Sequence, residues 1–310
     1  MSSLIEQAAQ RLAQLREAGV EIPEVAPLAA AATPPAAPAA VGQPAQPAVT
    51  SRRVDIDFDL LNASGIVTPT APRTRAADQF RVIKRPLLHN AAGKGASTIN
   101  HANLIMITSA LPGEGKTFTA VNLAMSIAAE LDHTVMLVDA DVARPTLLRS
   151  LGLPEGPGLL DLLDGSAQMH EVLLRTNVDK LSILPSGSPH QRATEMLASE
   201  AMRRLLDDMA SRYADRIVIF DSPPLLLTTE ARALATHMGQ IVVVVQAGRT
   251  KQSDVMNALH MIESCPVRLM MLNQVRGETE GSYGYGYGYG YGYGYGHGAS
   301  GEAAEPKPAT

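Results

Sequence analysis

Residues 109–117 read SALPGEGKT and have the composition of a phosphate-binding loop. A glycine-rich turn that follows a buried strand, opens a helix and ends in Lys-Thr is typical of a P-loop. Lys116 would reach the β- and γ-phosphates of a nucleotide, and the Thr117 hydroxyl would bind Mg²⁺. Backbone N–H groups and the helix N-terminus, which carries roughly half a positive charge, would surround the phosphate oxygens. The other residues assigned to this site are Gly113, Glu114, Gly115 and Phe118.

Acidic side chains follow two further apolar runs. Asp139 and Asp141 come after VMLV, and Asp221 comes after IVIF. In a parallel sheet these carboxyl ends share the edge at which the P-loop lies. Mg²⁺ prefers one or two carboxylates together with waters and phosphate oxygens. A single Asp after a strand is often only a helix cap, but three beside a P-loop predict a metal site formed by Thr117, Asp139 and Asp221.

Seven tyrosines alternate with glycine near the C-terminus and are possible phosphoryl acceptors. In an extended chain this period of two would place every ring on one side. Together with the nucleotide site, the cluster suggests an ATP-dependent kinase that phosphorylates its own tail. The alternative is an adhesive Tyr/Gly low-complexity segment without kinase chemistry. The acceptors are Tyr283, Tyr285, Tyr287, Tyr289, Tyr291, Tyr293 and Tyr295.

Composition fits a cytoplasmic protein. Its 310 residues, 45% of them hydrophobic, suffice for one large α/β domain with disordered ends. The net charge of −5 differs from the basic charge that is typical of nucleic-acid-binding proteins. The single cysteine, Cys265, excludes an intrachain disulfide framework. We find neither a signal peptide nor an apolar run of about 18 residues, so we expect any membrane association to depend on a partner.

From Asn103 onward, short apolar runs alternate with helical segments. Strands are predicted at 104–108, 135–138, 181–184, 217–220, 241–245 and 267–272, and helices at 116–130, 194–213, 230–237 and 253–263. Continuous apolar strands between helices indicate a parallel sheet covered on both faces. We therefore predict an α/β fold with a doubly wound parallel sheet, the three-layer αβα architecture of P-loop NTPases.

The rest of the chain divides by composition. We predict an amphipathic helix at residues 1–20, which docks on another protein or packs on its own domain. An Ala/Pro-rich linker at 21–52 and a tail at 277–310 lack core-forming residues and are predicted to be disordered. The nucleotide-binding domain is predicted to span residues 53–276.

Three segments resemble the bacterial tyrosine kinases. SALPGEGKT is similar to their Walker A motif, VMLVDAD to Walker A′ and IVIFDSPP to Walker B, within a resemblance that runs from about Asp78 to Val275. The strings SLIEQAAQRL, FRVIKRPLL and DADVARP are closer still to the tyrosine autokinases associated with exosortase-type exopolysaccharide clusters.

The resemblance implies ATP and Mg²⁺ as cofactors and a catalytic set of Lys116, Asp139, Asp141 and Asp221. Asp141 is the candidate nearest the incoming tyrosine, where it would act as the base. A phenol with a pKa near 10 needs such help at neutral pH. Asn273 resembles the family's adenine-facing residue, although an Asn that caps a turn at a strand end is an equal alternative.

The resemblance also implies partners. An inner-membrane polysaccharide co-polymerase or chain-length regulator would activate the kinase and hold it at the membrane, and a cognate tyrosine phosphatase would reverse the modification. The family's subunit-contact motif is present in altered form as Asp78, Arg81 and Lys84, which favours a homo-oligomer. The family's Walker A′ arginine is replaced by Ala143, with Arg144 next, so the role of that guanidinium is open.

Two other functions fit the nucleotide site. A ParA/MinD-like ATPase would carry an additional lysine in the loop, where this chain has Leu111, and would have no use for a tyrosine run. A non-catalytic regulatory subunit would bind nucleotide and assemble through its tail.

Overall fold

A computed structural model describes residues 51–69, 74–95, 98–212 and 215–275. The predicted N-terminal helix at 1–20, nearly all of the linker at 21–52 and the tail with its seven tyrosines lie outside these ranges.

Eight strands form one sheet in the order β1-β4-β5-β3-β6-β2-β7-β8. They are β1 (Arg53–Val54), β2 (Leu104–Ser109), β3 (Thr134–Asp139), β4 (Leu174–Thr176), β5 (Leu181–Leu184), β6 (Arg216–Asp221), β7 (Gln240–Gln246) and β8 (Val267–Asn273). All pairs are parallel except β4 with β5. A short turn joins those two strands, and a parallel pair would need a long crossover. The predicted parallel sheet is confirmed, with one antiparallel pair added.

Helices cover both faces of the sheet. They are α1 (Phe58–Ala63), α2 (Arg75–Ala91), α3 (Lys116–Ala128), α4 (Leu147–Ser150), α5 (Leu159–Leu163), α6 (Met169–Val172), α7 (Ala193–Leu197), α8 (Glu200–Arg212), α9 (Thr229–Ala235) and α10 (Gln252–His260). One apolar cluster lies under α1 to α4 and a second under α5 to α10. Strand β2 is buried along its whole length between them. The predicted three-layer fold is confirmed.

Two helix predictions differ from the structure in detail. A proline inside a helical segment predicts an end or a kink at that point, but α2 continues past Pro86 to Ala91. Proline leaves the carbonyl of Val82 without its helical partner, and Val82 is exposed, so water can bind that carbonyl. The helix predicted at 194–213 is divided into α7 and α8, where the Ser199 hydroxyl accepts a hydrogen bond from the Met202 N–H and starts the second helix.

Strand β8 lies at the edge of the sheet and pairs with β7 alone. Its apolar run predicted a strand, which is correct, but its side chains alternate between half-buried and exposed. Met270 and Leu272 are 64% and 61% exposed. Within the described residues, we find no helix that has both the length and the apolar character needed to span a bilayer.

Candidate functional site

The P-loop connects the end of β2 to the start of α3 through two glycines in left-handed conformation. Gly113 has φ 81° and Gly115, the N-cap of α3, has φ 96°. Residues with a Cβ rarely adopt these angles. A Cβ on Gly115 would also lie 2.1 Å from the amide nitrogen of Asn273. No side chain caps the N-terminus of α3, so its first N–H groups remain available to an anion.

Glu114 contributes more than its backbone. Its buried carboxylate accepts hydrogen bonds from the N–H of Leu111 at 2.6 Å, from the N–H of Gln246 at 3.2 Å and from the Thr250 hydroxyl. A buried carboxylate needs such donors. The side chain therefore braces the loop internally and ties it to the end of β7. The sequence predicted only backbone contacts for Glu114, and an acidic residue inside a phosphate-binding loop was the available signal for a bracing role.

Asp139 and Asp221 end neighbouring strands in register. Asp139 accepts hydrogen bonds from the N–H groups of Asp141 and Leu147, both at 3.3 Å. Neither carboxylate oxygen of Asp221 has a hydrogen-bond partner among the described residues, and both are buried. The predicted convergence of strand-end acids beside the P-loop is thus present in the structure.

Burial controls the protonation of this pair. Desolvation, with the charge of Asp221 as the second cause, raises the pKa of Asp139 to about 8. Desolvation also raises the pKa of Asp221 to about 7, against the opposing effects of Thr117 and Lys116. The Thr117 hydroxyl is near enough to lower that pKa but outside hydrogen-bonding geometry. Without a cation, the site therefore disfavours two negative charges.

Asp141 lies half-buried beside the pair. Desolvation raises its pKa, and the Lys116 ammonium is the largest opposing influence. One Asp141 oxygen accepts the Arg144 N–H at 3.3 Å, so this carboxylate also shapes the turn that follows β3. The Thr117 hydroxyl lies 3.3 Å from that of Thr146 in the same segment. Sequence reasoning did not single out Thr146.

The residues present fit a divalent cation and a nucleotide. Asp221 holds two buried oxygens without donors, an arrangement that is unfavourable unless a cation or a proton satisfies them. Among the described residues no group of three or more His, Cys, Asp or Glu forms a metal site. A cation here would thus need further oxygens from phosphate and water, which is how Mg²⁺ is usually held.

Two predicted site residues have other contacts in the structure. The Phe118 ring lies 6.5 Å from that of Phe80 and packs against the core. The Asn273 amide donates to the Glu114 carbonyl at 2.9 Å, which is the turn-capping alternative. A nucleotide contact by Phe118 and an adenine contact by Asn273 stay predictions. Lys84 of the predicted subunit-contact motif is buried and pairs with Glu130 at 2.6 Å.

Fold and site define a nucleotide-binding P-loop protein, and comparison with known proteins agrees. A family model described as "AAA domain" matches residues 102–271, more than half of the chain. This stretch runs from the start of β2 into β8 and contains the P-loop and the three aspartates at the ends of β3 and β6.

Several relatives within this class are named tyrosine-protein kinases. Tyrosine-protein kinase YwqD of Bacillus subtilis is 30% identical over 221 residues, which cover 71% of this chain and 90% of YwqD. The succinoglycan biosynthesis transport protein ExoP of Rhizobium meliloti is 35% identical over 193 residues, 61% of this chain but only 23% of ExoP. Among solved structures, the kinase domain of VpsO is similar with a TM-score of 0.56 and 26% identity, over 65% of this chain and 95% of that domain. The chain belongs to the bacterial tyrosine kinase family, as its motifs predicted.

Proposed function

We propose that this kinase transfers the γ-phosphoryl group of ATP to the tyrosines of its own C-terminal cluster. The observation that carries the proposal is the unpartnered, buried Asp221 carboxylate next to a P-loop with free amides. A structural carboxylate would have donors, as Asp161 does through the N–H groups of Gly158 and Ser188. Unsatisfied buried carboxylates are unfavourable for folding and are retained where a ligand completes them.

The nucleotide phosphates would lie against the amides of the loop and the Lys116 ammonium. Thr117, Asp139 and Asp221 would hold Mg²⁺, which neutralises charge on the phosphate oxygens when bound. Catalysis of phosphoryl transfer depends mainly on positioning and on stabilisation of this charge. The rigid attachment of the loop through Glu114 supports that role, because preorganised dipoles need no rearrangement during the reaction.

Asp141 is the candidate base. The phenol oxygen of a tyrosine forms the new bond to the γ-phosphorus as its proton passes to the Asp141 carboxylate. The bond between that phosphorus and the bridging oxygen breaks, and ADP leaves with the electron pair. Burial raises the pKa of Asp141, which makes it a better proton acceptor than an exposed carboxylate.

The acceptors are the seven tyrosines that begin at Tyr283. From Asn273, at the end of β8, ten residues can span at most about 35 Å. This reach is compatible with the chain's own site and with that of a neighbouring subunit. Full modification would add roughly −10 to −14 charges to a chain that already carries −5.

The biological setting is exopolysaccharide synthesis or export. The succinoglycan transport protein ExoP supports this assignment as a relative. We propose a cytoplasmic enzyme that an inner-membrane polysaccharide co-polymerase activates and retains at the membrane, that forms a homo-oligomer, and that a tyrosine phosphatase resets. The ParA/MinD-like alternative has less support, since the relatives reported above include a tyrosine-protein kinase that the chain covers almost completely.

Incubation of the full chain with Mg²⁺, labelled ATP and the proposed co-polymerase activator tests the proposal. We expect phosphotyrosine and a mass gain on the C-terminal peptide. Lys116→Met, and separately Phe at all seven cluster positions, should remove the signal, whereas Lys94→Met at an exposed position should retain it. ATP hydrolysis without phosphotyrosine would favour the ParA/MinD-like ATPase. Nucleotide binding without turnover would favour the regulatory subunit.

A further inference from the structure

The end of β8 holds the P-loop by two side-chain amides. Asn273 donates from Nδ2 to the Glu114 carbonyl at 2.9 Å, and Gln274 donates from Nε2 to the Gly113 carbonyl at 3.1 Å. The Gln274 amide oxygen in turn accepts from the Gln246 amide at 2.7 Å, at the end of β7. Two consecutive loop carbonyls are therefore bound by two consecutive residues of the last strand and its extension.

Gln274 makes this contact from an unusual backbone conformation. Its φ is +56°, in the left-handed region that residues with a Cβ seldom adopt outside functional sites and tight turns. This conformation turns the chain at the end of β8, next to the loop. The turn therefore places the Gln274 side chain within reach of the Gly113 carbonyl.

The two bonds have a geometric consequence for the loop amides. A trans peptide unit is planar, and its C=O and N–H groups point in opposite directions. No peptide bond among the described residues is cis. Binding of the Gly113 carbonyl towards β8 thus directs the Glu114 N–H away from β8, and binding of the Glu114 carbonyl directs the Gly115 N–H in the same way.

These two N–H groups are free to bind a ligand. Neither the Glu114 N–H nor the Gly115 N–H donates to any described residue. The Glu114 carboxylate fixes the other side of the loop through the Leu111 N–H. The loop therefore presents two oriented, unsatisfied donors next to Lys116, which is the arrangement that an anionic phosphate oxygen requires.

We propose that Asn273 and Gln274 are positioning residues for the phosphate site, which they preorganise by locking the two peptide planes that carry the Glu114 and Gly115 N–H groups. This inference rests on the nucleotide site of the proposed function and deepens it. Asn273 acts through the loop rather than on the base of the nucleotide. The two residues should therefore affect binding of the polyphosphate moiety, whatever base the nucleotide has.

Binding of a phosphate-only probe tests the inference. Affinities of the full chain for Mg²⁺-ATP and Mg²⁺-tripolyphosphate are measured by displacement of a fluorescent nucleotide. In Asn273→Ala with Gln274→Gly we expect both affinities to fall by the same factor, about tenfold, as two hydrogen bonds are lost. A loss for ATP with none for tripolyphosphate would make Asn273 an adenine contact and overturn the inference, as would unchanged binding of both probes.

The single variant Gln274→Gly separates an effect on ligand binding from an effect on folding stability. Glycine adopts positive φ without strain, so this variant loses the amide but not the turn, and its thermal midpoint should not fall. We still expect weaker binding of both probes, by roughly threefold. His101→Gly is the matched control, because His101 has φ 54° but lies at the amino end of β2, away from the loop. It should leave both affinities unchanged.

Kinetics provide a second readout. If the Glu114 and Gly115 N–H groups bind phosphate equally in the ground and transition states, the double variant raises the KM for ATP by the same factor as the dissociation constant, and kcat stays within about twofold. A fall in kcat with constant KM would contradict the inference. Absence of phosphotyrosine in the wild type would refute the kinase proposal alone, because the two binding measurements do not depend on turnover.

Discussion

Asp139 and Asp221 are register partners at the carboxyl ends of β3 and β6, yet of the two only Asp139 accepts hydrogen bonds from the residues that the structure describes. Two backbone N–H groups hold the Asp139 carboxylate, while the Asp221 carboxylate is buried without any partner among the described residues. The Asp221 carboxylate therefore lowers the stability of the unliganded protein, and it lies where it could bind a cation. This imbalance is typical of a functional site, at which stability and activity have opposite requirements.

Asp221→Asn should raise the stability of the nucleotide-free protein at pH 8 and abolish kinase activity. The change removes a buried charge without breaking a hydrogen bond. We expect the thermal midpoint to rise by about 2–4 °C, equivalent to about 1 kcal/mol. Phosphotyrosine formation should fall by at least roughly 100-fold.

The matched control is Asp161→Asn. The Asp161 carboxylate is also buried, but it accepts hydrogen bonds from the N–H groups of Gly158 at 2.7 Å and Ser188 at 3.0 Å. This variant should lose about 1–3 kcal/mol of stability. Its remaining folded fraction should keep the kinase activity. A lower midpoint for Asp221→Asn than for the wild type would show that Asp221 stabilises the fold.

Stability of the protein in EDTA should decrease as pH rises from 5 to 8. The folded-state pKa values of Asp139 and Asp221, about 8 and about 7, lie above the unfolded value near 3.9. Their neutral forms favour the folded state, so this contribution is complete at low pH and is lost as pH rises through the folded pKa values.

Denaturant unfolding at pH 5.5, 7 and 8.5 measures this dependence, and Asp221→Asn should flatten it. Addition of Mg²⁺ and nucleotide should restore stability at the highest pH, because the charged carboxylates then gain a cation. A rise in stability between pH 5.5 and 8.5 in EDTA would contradict the raised pKa values.

Gly115→Ala should be far more damaging than Gly113→Ala. Both residues have positive φ, which disfavours alanine by about 1–2 kcal/mol. At Gly115 the new Cβ would also meet the Asn273 amide at 2.1 Å, whereas at Gly113 no atom lies within 4 Å. In a displacement assay we expect Gly115→Ala to weaken nucleotide binding severalfold more than Gly113→Ala does, because the Asn273 amide must move away from the Glu114 carbonyl. Equal losses would mean that backbone strain alone controls the loop.

Lys84→Met should destabilise the monomer, and Arg81→Met should not. The buried Lys84 ammonium pairs with Glu130 and donates to the Ser126 carbonyl, so it closes the C-terminal end of α3. Its loss leaves that carbonyl unsatisfied and should reduce stability by about 1–3 kcal/mol. Arg81 pairs with Asp78 at the exposed surface of α2, and its replacement should change stability by less than about 0.5 kcal/mol.

Sedimentation of the same variants tests the predicted subunit contact. If α2 mediates self-association, Arg81→Met should shift the protein towards monomer at unchanged stability. Loss of assembly in Lys84→Met without loss of stability would place Lys84 in the interface despite its burial in the monomer.

Local pattern in the sequence determined the class of fold and the family, and it supplied the candidate site residues. The apolar runs before Asp139 and Asp221 are long enough to specify buried strands, and parallel strands bring their carboxyl ends to one edge. A Lys-Thr pair after a glycine-rich turn, such as Lys116–Thr117, is typical of a P-loop. The predicted strands and the predicted sheet are confirmed, because each apolar run depends mainly on neighbouring residues.

Tertiary structure alone decided which side chains hold the site together. The Asn273 amide meets the Glu114 carbonyl across 159 residues of chain, and the Glu114 carboxylate meets the Gln246 N–H across 132. The burial of Lys84 and the exposure of Met270 are equally non-local. Such contacts depend on the order of strands in the sheet and on which strand is left at its edge, and neither is encoded in the spacing of residues along one segment.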